Sequence, residues 1–494
     1  MVRHTPFVAY NSRMESQKNW AGNLTYSAEW LHRPTSVAQV QDLVCQCRQL
    51  RALGTRHCFN AIADCPEDMI STEKLTKILG VDRERQTVTV ESGVRYGELA
   101  VYLNAEGFAL PNLASLPHIS VAGAVATGTH GSGDGNGNLA TSVVGMELVK
   151  ASGEKVVLSR ETHGDDFDGM VVHLGALGVV TQLTLKIKPT FEIAQTAYTN
   201  LPVEALLAHF DEVTSAGYSV SLFTDWQSAF VNQVWVKSKT GDFPETLFGA
   251  QKATENRHPL PDHSAESCTT QCGIPGPWHE RLPHFQLAFT PSSGAELQSE
   301  YFVGRENALA AFTAIAALRD KLAPQLMISE IRTIAADNLW LSPHYQRDSV
   351  GFHFTWKQNI PEVLALLPVI EEALAPFAPR PHWGKVFTLR PQHSPKLPEF
   401  LRLCKEFDPH GKFRNDFLTK TLYTLSVREE VILNLWRNGL SRRQIEKELH
   451  LGGYRVFDLL QTIRLKLGLE TLEEARKSEK PSDIGEARRL GFEP

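Results

Sequence analysis

Between residues 20 and 190, short apolar runs alternate with glycine-bearing turns. "LRALG", "QTVTVESGV", "MELVKASGEKVVL" and "VVTQLTLKIKP" have the alternation and β-branched content of strands. Two stretches have helical spacing instead: "SVAQVQDLVCQCRQL", capped by Ser36, and "RYGELAVYLNAEG", which stops at Gly107. The pattern is α+β with many short strands, not a regular βαβ array. From about residue 191 to 390 the texture changes. Strand-like pieces ("YSVSLFTDW", "NQVWVKS", "FQLAFTP", "LMISEIRTI", "VGFHFTW") surround a proline- and histidine-rich middle, "NRHPLPDHSAESCTTQCGIPGPWHERLPHF", which reads as loop. Helices are predicted over "RENALAAFTAIAALRDKLA" and "IPEVLALLPVIEEALAPFA", so this half is a second α+β layer. Past Thr424 the pattern is almost wholly helical, and the chain has no internal repeat.

At 494 residues the chain exceeds one compact core, which predicts two or three domains. A hydrophobic share of 42% with 21% charged residues places it among soluble globular proteins. The net charge of −6 gives no electrostatic reason to bind nucleic acid or a membrane. No apolar run approaches the ~20 residues of a bilayer span. The amino-terminal stretch lacks an apolar segment of signal-peptide length, so the sequon at Asn23 has no secretory context. Seven cysteines without a C-x-x-C pair predict no zinc or other metal site and fit a reduced, cytoplasmic protein.

The candidate chemistry sits at three places. "SVAGAVATGTHGSGDGNGN" holds six glycines between Gly123 and Gly137. Its composition fits a flexible surface loop and a backbone cradle for a pyrophosphate equally well. Ser115, Ser120, Thr127 and Thr129 tilt the reading to phosphate, although no Walker or G-x-G-x-x-G motif is present. In "LGTRHC", His57 lies at a strand end, where satisfying backbone groups is its commoner role; ligand, base and covalent anchor stay open. Glu330 and Arg332 share one face of a strand, as do His353 and Thr355. With Ser115 and Lys385 they could converge on one polyhydroxylated ligand, although ion pairing and solvated strand ends explain each singly.

"LGTRHCFNAIAD", "LPNLASLPHISVAGAVATGTHGSG" and "GALGVVT" resemble the FAD-binding half of the vanillyl-alcohol-oxidase flavoprotein superfamily. "NWAGNLTY", "YSVSLFTDW", "GPWHERLPHF", "PSSGAELQSEY", "EIRTIAADNLWLSP", "HFTW" and "RPHWGKVF" are similar to its alditol oxidase (xylitol/sorbitol oxidase) group. The matches run in order over roughly residues 19–418. The resemblance implies a two-subdomain FAD-binding domain over 1–190, a substrate (cap) domain with an antiparallel sheet over 191–390, and a return to the FAD domain over 391–424. It implies oxidation of a terminal alditol hydroxyl to the aldehyde by hydride transfer to flavin N5, with O2 reduced to H2O2. A sugar-lactone (aldonolactone) oxidase is the alternative.

The same resemblance assigns residues. His57 would carry a single covalent bond to the flavin 8α-methyl carbon, a role open to a buried, neutral imidazole. Gly54, Thr55, Arg56, Cys58, Ala114, Ser115, Ser120, Gly123, Thr127, Gly128, His130, Val179 and Val180 would bind FAD. Arg56 and Cys58 depart from the group, which commonly has a small residue and a serine there. Cys58 is read as a bystander, because the region that supplies a second attachment in bicovalent relatives, residues 111–137, has no cysteine. Ala114 would leave room for dioxygen. Ser115, Glu330, Arg332, Thr355 and Lys385 would contact substrate. Arg332 and Lys385 would lower the cost of negative charge at the reacting oxygen, Glu330 would orient the hydroxyls and Arg332, and His353 would accept the proton.

Residues 425–477 resemble a LuxR-like helix-turn-helix, through the spacing of Arg428, Gly439, Ile445, Leu449, Val456, Ile463 and Leu467–Gly468, with Ser441 capping the second helix. Residues 425–494 carry 13 Lys+Arg against 12 Asp+Glu, about +1, a poor footprint for DNA. Phe457, Asp458 and Leu459–Leu460 also occupy the helix that would read bases. A protein-contact or oligomerisation module is therefore favoured over nucleic-acid binding. A flavin-loaded sensor with this output is the non-enzyme alternative, and the sequence leaves the oligomeric state open.

Overall fold

The computed structural model describes residues 11–14, 16–289, 295–389, 395–451 and 453–477. The ends of the expected first domain and tail, residues 1–10 and 478–494, lie outside the described residues. The amino-terminal half is built on two small sheets. Helix α1 (Val37–Gln46) starts at Ser36, whose Oγ accepts from the Gln39 N–H at 3.3 Å. The helix stops at Cys47, so "CRQL" is not helical as predicted; Cys47 turns extended and leads into strand β1 (Leu50–Leu53). That strand pairs in parallel with β2 (Asp68–Ser71). In the second sheet, β5 (Val179–Lys186) lies antiparallel between β3 (Thr87–Glu91) and β4 (Val143–Val149).

The glycine stretch is not a surface loop. Its first part is a short helix, α2 (Val121–Ala126), with Val121, Ala124 and Val125 buried in the core shared with the second sheet.

The second half is dominated by one antiparallel sheet, whose strands lie in the spatial order β6 (Glu192–Pro202), β8 (Phe230–Ser238), β7 (Ser219–Thr224), β10 (Leu326–Ile334), β11 (Ser349–Lys357) and β9 (Glu296–Gly304), with short edge strands beside them. Alternation in "VGFHFTW" assigns its two faces. Val350, Phe352, Phe354 and Trp356 pack with Ile331 against helices α3 (Ala308–Ala316) and α4 (Ile360–Leu374). Truncating Phe354 to alanine in that layer would cost about 3–5 kcal/mol. Gly351, His353 and Thr355 face the other way, toward the amino-terminal half.

Two predicted elements differ. "FQLAF" forms turns rather than a strand, because its backbone is engaged elsewhere: Phe285 N–H donates to Ser115 O at 3.3 Å and Gln286 N–H to Ser267 O at 2.9 Å. The "RENALAAFTAIAALRDKLA" helix is interrupted after Ala316 and resumes only for Arg319–Leu322.

After the sheet, α5 (Leu397–Phe407) returns to the amino-terminal core through Phe400, Leu401 and Phe407. Past Thr424 the described residues form four helices: α6 (Val427–Arg437), α7 (Arg442–Glu448), α8 (Gly453–Lys466) and α9 (Leu472–Lys477). They share a core of Ile432, Leu433, Trp436, Ile445, Val456, Leu460 and Ile463, and α8 also packs against α5. A buried ion pair, Lys466 Nζ to Glu429 Oε2 at 2.7 Å, ties the end of α8 to α6. Among the described residues no helix is long and apolar enough to cross a membrane, and all seven cysteines are free.

Candidate active site

Where β1 ends, the chain leaves the sheet through Gly54–Cys58 and forms one side of a cavity of about 700 Å³. Thr55 Oγ1 accepts from the Ser120 N–H at 3.2 Å, joining this turn to the glycine stretch. The joint is close: a Cβ at Gly54 would lie 2.8 Å from Ser120 Oγ, and one at Gly123 3.0 Å from it. Ser120 Oγ itself is buried without a hydrogen-bond partner among the described residues. Ser120 thus packs between Gly54 and Gly123 and excludes a side chain at either, which leaves their backbone bare on the cavity wall, as an anionic group such as a pyrophosphate requires.

His57 stacks on Trp20, with ring centroids 5.3 Å apart, and its Nδ1 is likewise buried and unpartnered. Burial, reinforced by His118, pushes its pKa down to about 4, so the imidazole is neutral with a free lone pair at physiological pH. Arg56 holds a left-handed φ of 64°, a conformation that favours a small residue such as glycine. Burial pushes the Cys58 thiol up to about 12, which keeps it protonated and a poor nucleophile.

The inner wall comes from the polar face of the large sheet. Register sets Glu300 on β9, His353 on β11 and Glu330 on β10 in one row across three neighbouring strands. Arg332 and Thr355 flank the row, and Lys385 enters from the turn after Pro381. Glu300 is the hub. Its Oε2 accepts from Lys385 Nζ at 2.6 Å, and its Oε1 accepts from Arg332 Nη2 at 2.9 Å and lies 3.3 Å from His130 Nε2. Burial alone would raise this carboxyl, but Lys385, His130 and Arg332 hold it well below the usual carboxylate range.

His353 Nδ1 is 2.6 Å from Lys385 Nζ, and its Nε2 is 3.0 Å from Thr355 Oγ1. Burial, then the Lys385 charge, pushes His353 down to about 4. Burial also lowers Lys385, against the pull of Glu300. Glu330 is kept ionised by Arg332 and His284 in spite of its burial. Arg332 Nη1 donates to Ser115 Oγ at 3.4 Å, which bridges the sheet to the glycine stretch.

Of the residues expected at the site, Ser120, Gly128 and Val179 lie off the cavity wall, and the others line it together. Gly128 serves a left-handed turn (φ 64°) against Pro343, and Val179 packs in the core beneath α1. Arg332 takes its close carboxylate from Glu300, not from the expected Glu330, whose Oε1 is 3.6 Å from Arg332 Nε. Sequence reasoning missed Glu300 and His284. The signal for Glu300 was the polar alternation Glu296, Gln298, Glu300 along one strand face. A further part of the wall is the loop carrying His258, Pro259, Leu260 and His263.

Residues 28–159 match the FAD binding domain family, and residues 295–421 match the family described as D-arabinono-1,4-lactone oxidase. The chain is 50% identical over 416 residues to alditol oxidase of Streptomyces sp. (strain IKD472 / FERM P-14339), an alignment covering 82% of this chain and 98% of that protein. L-gulonolactone oxidase of Mus musculus is 26% identical, with the same shares covered. The fold is that of cholesterol oxidase from B. sterolicum, with a TM-score of 0.66 at 15% identity, over 82% of this chain and 96% of that one. With half of its aligned residues identical over nearly the whole of that relative, the chain belongs to the alditol oxidase family of FAD-dependent oxidoreductases.

Proposed function

We propose that this protein oxidises the terminal hydroxyl of an alditol such as xylitol or sorbitol to the aldehyde, with FAD as cofactor and O2 as final acceptor. The observation that carries this reading is the convergence of His57 with Ser115, Glu330, Arg332, Thr355 and Lys385 on one cavity. In this reading residues 1–190 and 391–424 hold FAD, residues 191–390 hold the substrate, and residues 425–494 are a protein-contact or oligomerisation module.

FAD, when bound, supplies the hydride acceptor and the reaction with O2 that yields H2O2. The protein's own part is binding, orientation and charge. The backbone at Gly54 and Gly123, both on the cavity wall, offers a cradle for the pyrophosphate, and the neutral His57 nitrogen is the single covalent anchor. Ser115, Thr355 and Glu330 hold the hydroxyls of the substrate. Arg332 and Lys385 lower the cost of negative charge on the C1 oxygen in a site where water screens little. The hydroxyl proton passes to the Lys385–His353 pair, whose nitrogens lie 2.6 Å apart, with His353 as its acceptor. Ala114, a small residue on the cavity wall, leaves space for O2.

A peroxide assay over xylitol, sorbitol, mannitol, glycerol and aldonolactones tests the reading. Turnover of alditols above lactones is expected. A second reading, a sugar-lactone (aldonolactone) oxidase, rests on the match of residues 295–421 to a lactone oxidase family, and the opposite ranking would establish it.

A further inference from the structure

Behind Glu330 lies a buried lysine that the chemistry above does not use. Lys237, on β8, is 1% exposed. Its Nζ donates to the Leu282 carbonyl and lies 3.3 Å from Pro283 O and 3.5 Å from His284 Nδ1. His284 is stacked on Trp235, with ring centroids 5.1 Å apart, and its Nε2 is 3.0 Å from Glu330 Oε1. The backbone N–H of His284 donates to Ser115 O at 3.0 Å, so this one residue touches two sides of the cavity.

Glu330 fixes the direction of these bonds. Its ionised carboxylate carries no hydrogen, so the proton in the bond to Oε1 belongs to His284 Nε2. A neutral imidazole with its proton on Nε2 has its lone pair on Nδ1, which accepts from Lys237 Nζ. Burial, reinforced by Lys237, pushes His284 down to about 4, so it is neutral. Burial also lowers Lys237, to about 7; Glu330 opposes that loss, and Arg332 and Cys268 are the other charged or titratable neighbours.

We propose that Lys237 and His284 are positioning residues, forming a one-way donor chain from Lys237 through His284 that holds the Glu330 carboxylate as an acceptor for a substrate hydroxyl. The inference rests on Glu330 being a substrate contact. An acceptor held in this way takes a hydroxyl, which can donate, and rejects a carbonyl or ether oxygen at the same carbon, which cannot. The chain thus selects alditols against lactones and ketoses from behind the binding surface.

The test uses the full-length, flavin-loaded protein, with folding checked by thermal melting and flavin absorbance. Lys237→Met and His284→Phe are expected to raise KM for xylitol about tenfold while kcat stays within about threefold. His284→Gln, which keeps a donor near Nε2, restores KM. In a Glu330→Gln background His284→Phe adds nothing further, an interdependence that a general packing defect would not produce. An unchanged KM in His284→Phe, or an equal rise in the Glu330→Gln background, overturns the chain. If Glu330→Gln alone leaves KM unchanged, the substrate contact itself fails and the inference falls with it. The contrast between the two His284 variants decides the matter should Lys237→Met not fold.

Discussion

Lys385 Nζ and Glu300 Oε2 lie 2.6 Å apart, with the carboxylate fully buried and Arg332 on its other oxygen. One anion therefore fixes both cations of the site. Glu300→Gln would leave Arg332 and Lys385 without the negative charge between them. Removing one member of a buried ion pair costs about 3–5 kcal/mol. A lowered melting temperature is expected, together with a lowered kcat that substrate concentration does not restore; thermal melts and steady-state kinetics check both.

The proton-transfer roles proposed for Lys385 and His353 are read in the reductive half-reaction. Lys385→Met and His353→Ala should each slow the reductive half-reaction by about a hundredfold or more, the usual scale of a lost proton-transfer group. Xylitol deuterated at C1 should show a primary isotope effect in both. Stopped-flow flavin reduction at the rate of the parent protein would remove both residues from the chemistry.

The neutral imidazole of His57, with its Nδ1 buried, carries the expectation of a covalent flavin. After denaturation and precipitation, yellow colour should stay with the parent chain and be released from His57→Ala. Cys58→Ser should retain it, because burial keeps that thiol protonated. Colour in the supernatant of the parent protein would make His57 a non-covalent contact.

Three buried histidines predict acid lability. His173, His284 and His353 are each pushed down to about 4, mainly by burial. Their ordinary value is about 6.5, so on acidification the unfolded chain takes these protons first. Stability is full above about pH 6.5 and falls toward pH 4, by up to about 1.4 kcal/mol per pH unit for each histidine. Glu300 and Glu330, held low in the folded protein, extend the loss in the same direction below the carboxylate range. Melting temperatures at pH 7.5, 6 and 5 should fall in that order, and a flat series would contradict the burial of neutral imidazoles.

Much of the site was legible because its residues occur in short, distinctive strings. "LGTRHC" and the glycine stretch identify the flavin side, and the strict alternation of "SEIRTI" and "FHFTW" sets polar residues on a shared face. Glu300 was not legible, because its role arises from the register of three strands that meet only in the folded sheet. Lys237 was hidden for a related reason: a lysine in "NQVWVKS" looks like a solvated strand end until the loop at Leu282–His284 closes over it. The misread strand "FQLAF" shows the same limit, since long-range bonds to Ser115 and Ser267 override its local alternation.

The cavity wall has two kinds of construction. Strand register pins Glu300, Glu330 and His353, whereas His258, Pro259, Leu260 and His263 arrive on a loop. A directed library confined to residues 258–263 would redraw one boundary of the cavity while leaving every hydrogen bond of the charged hub in place. The size of the cavity and the charge network inside it are therefore carried by separate parts of the scaffold.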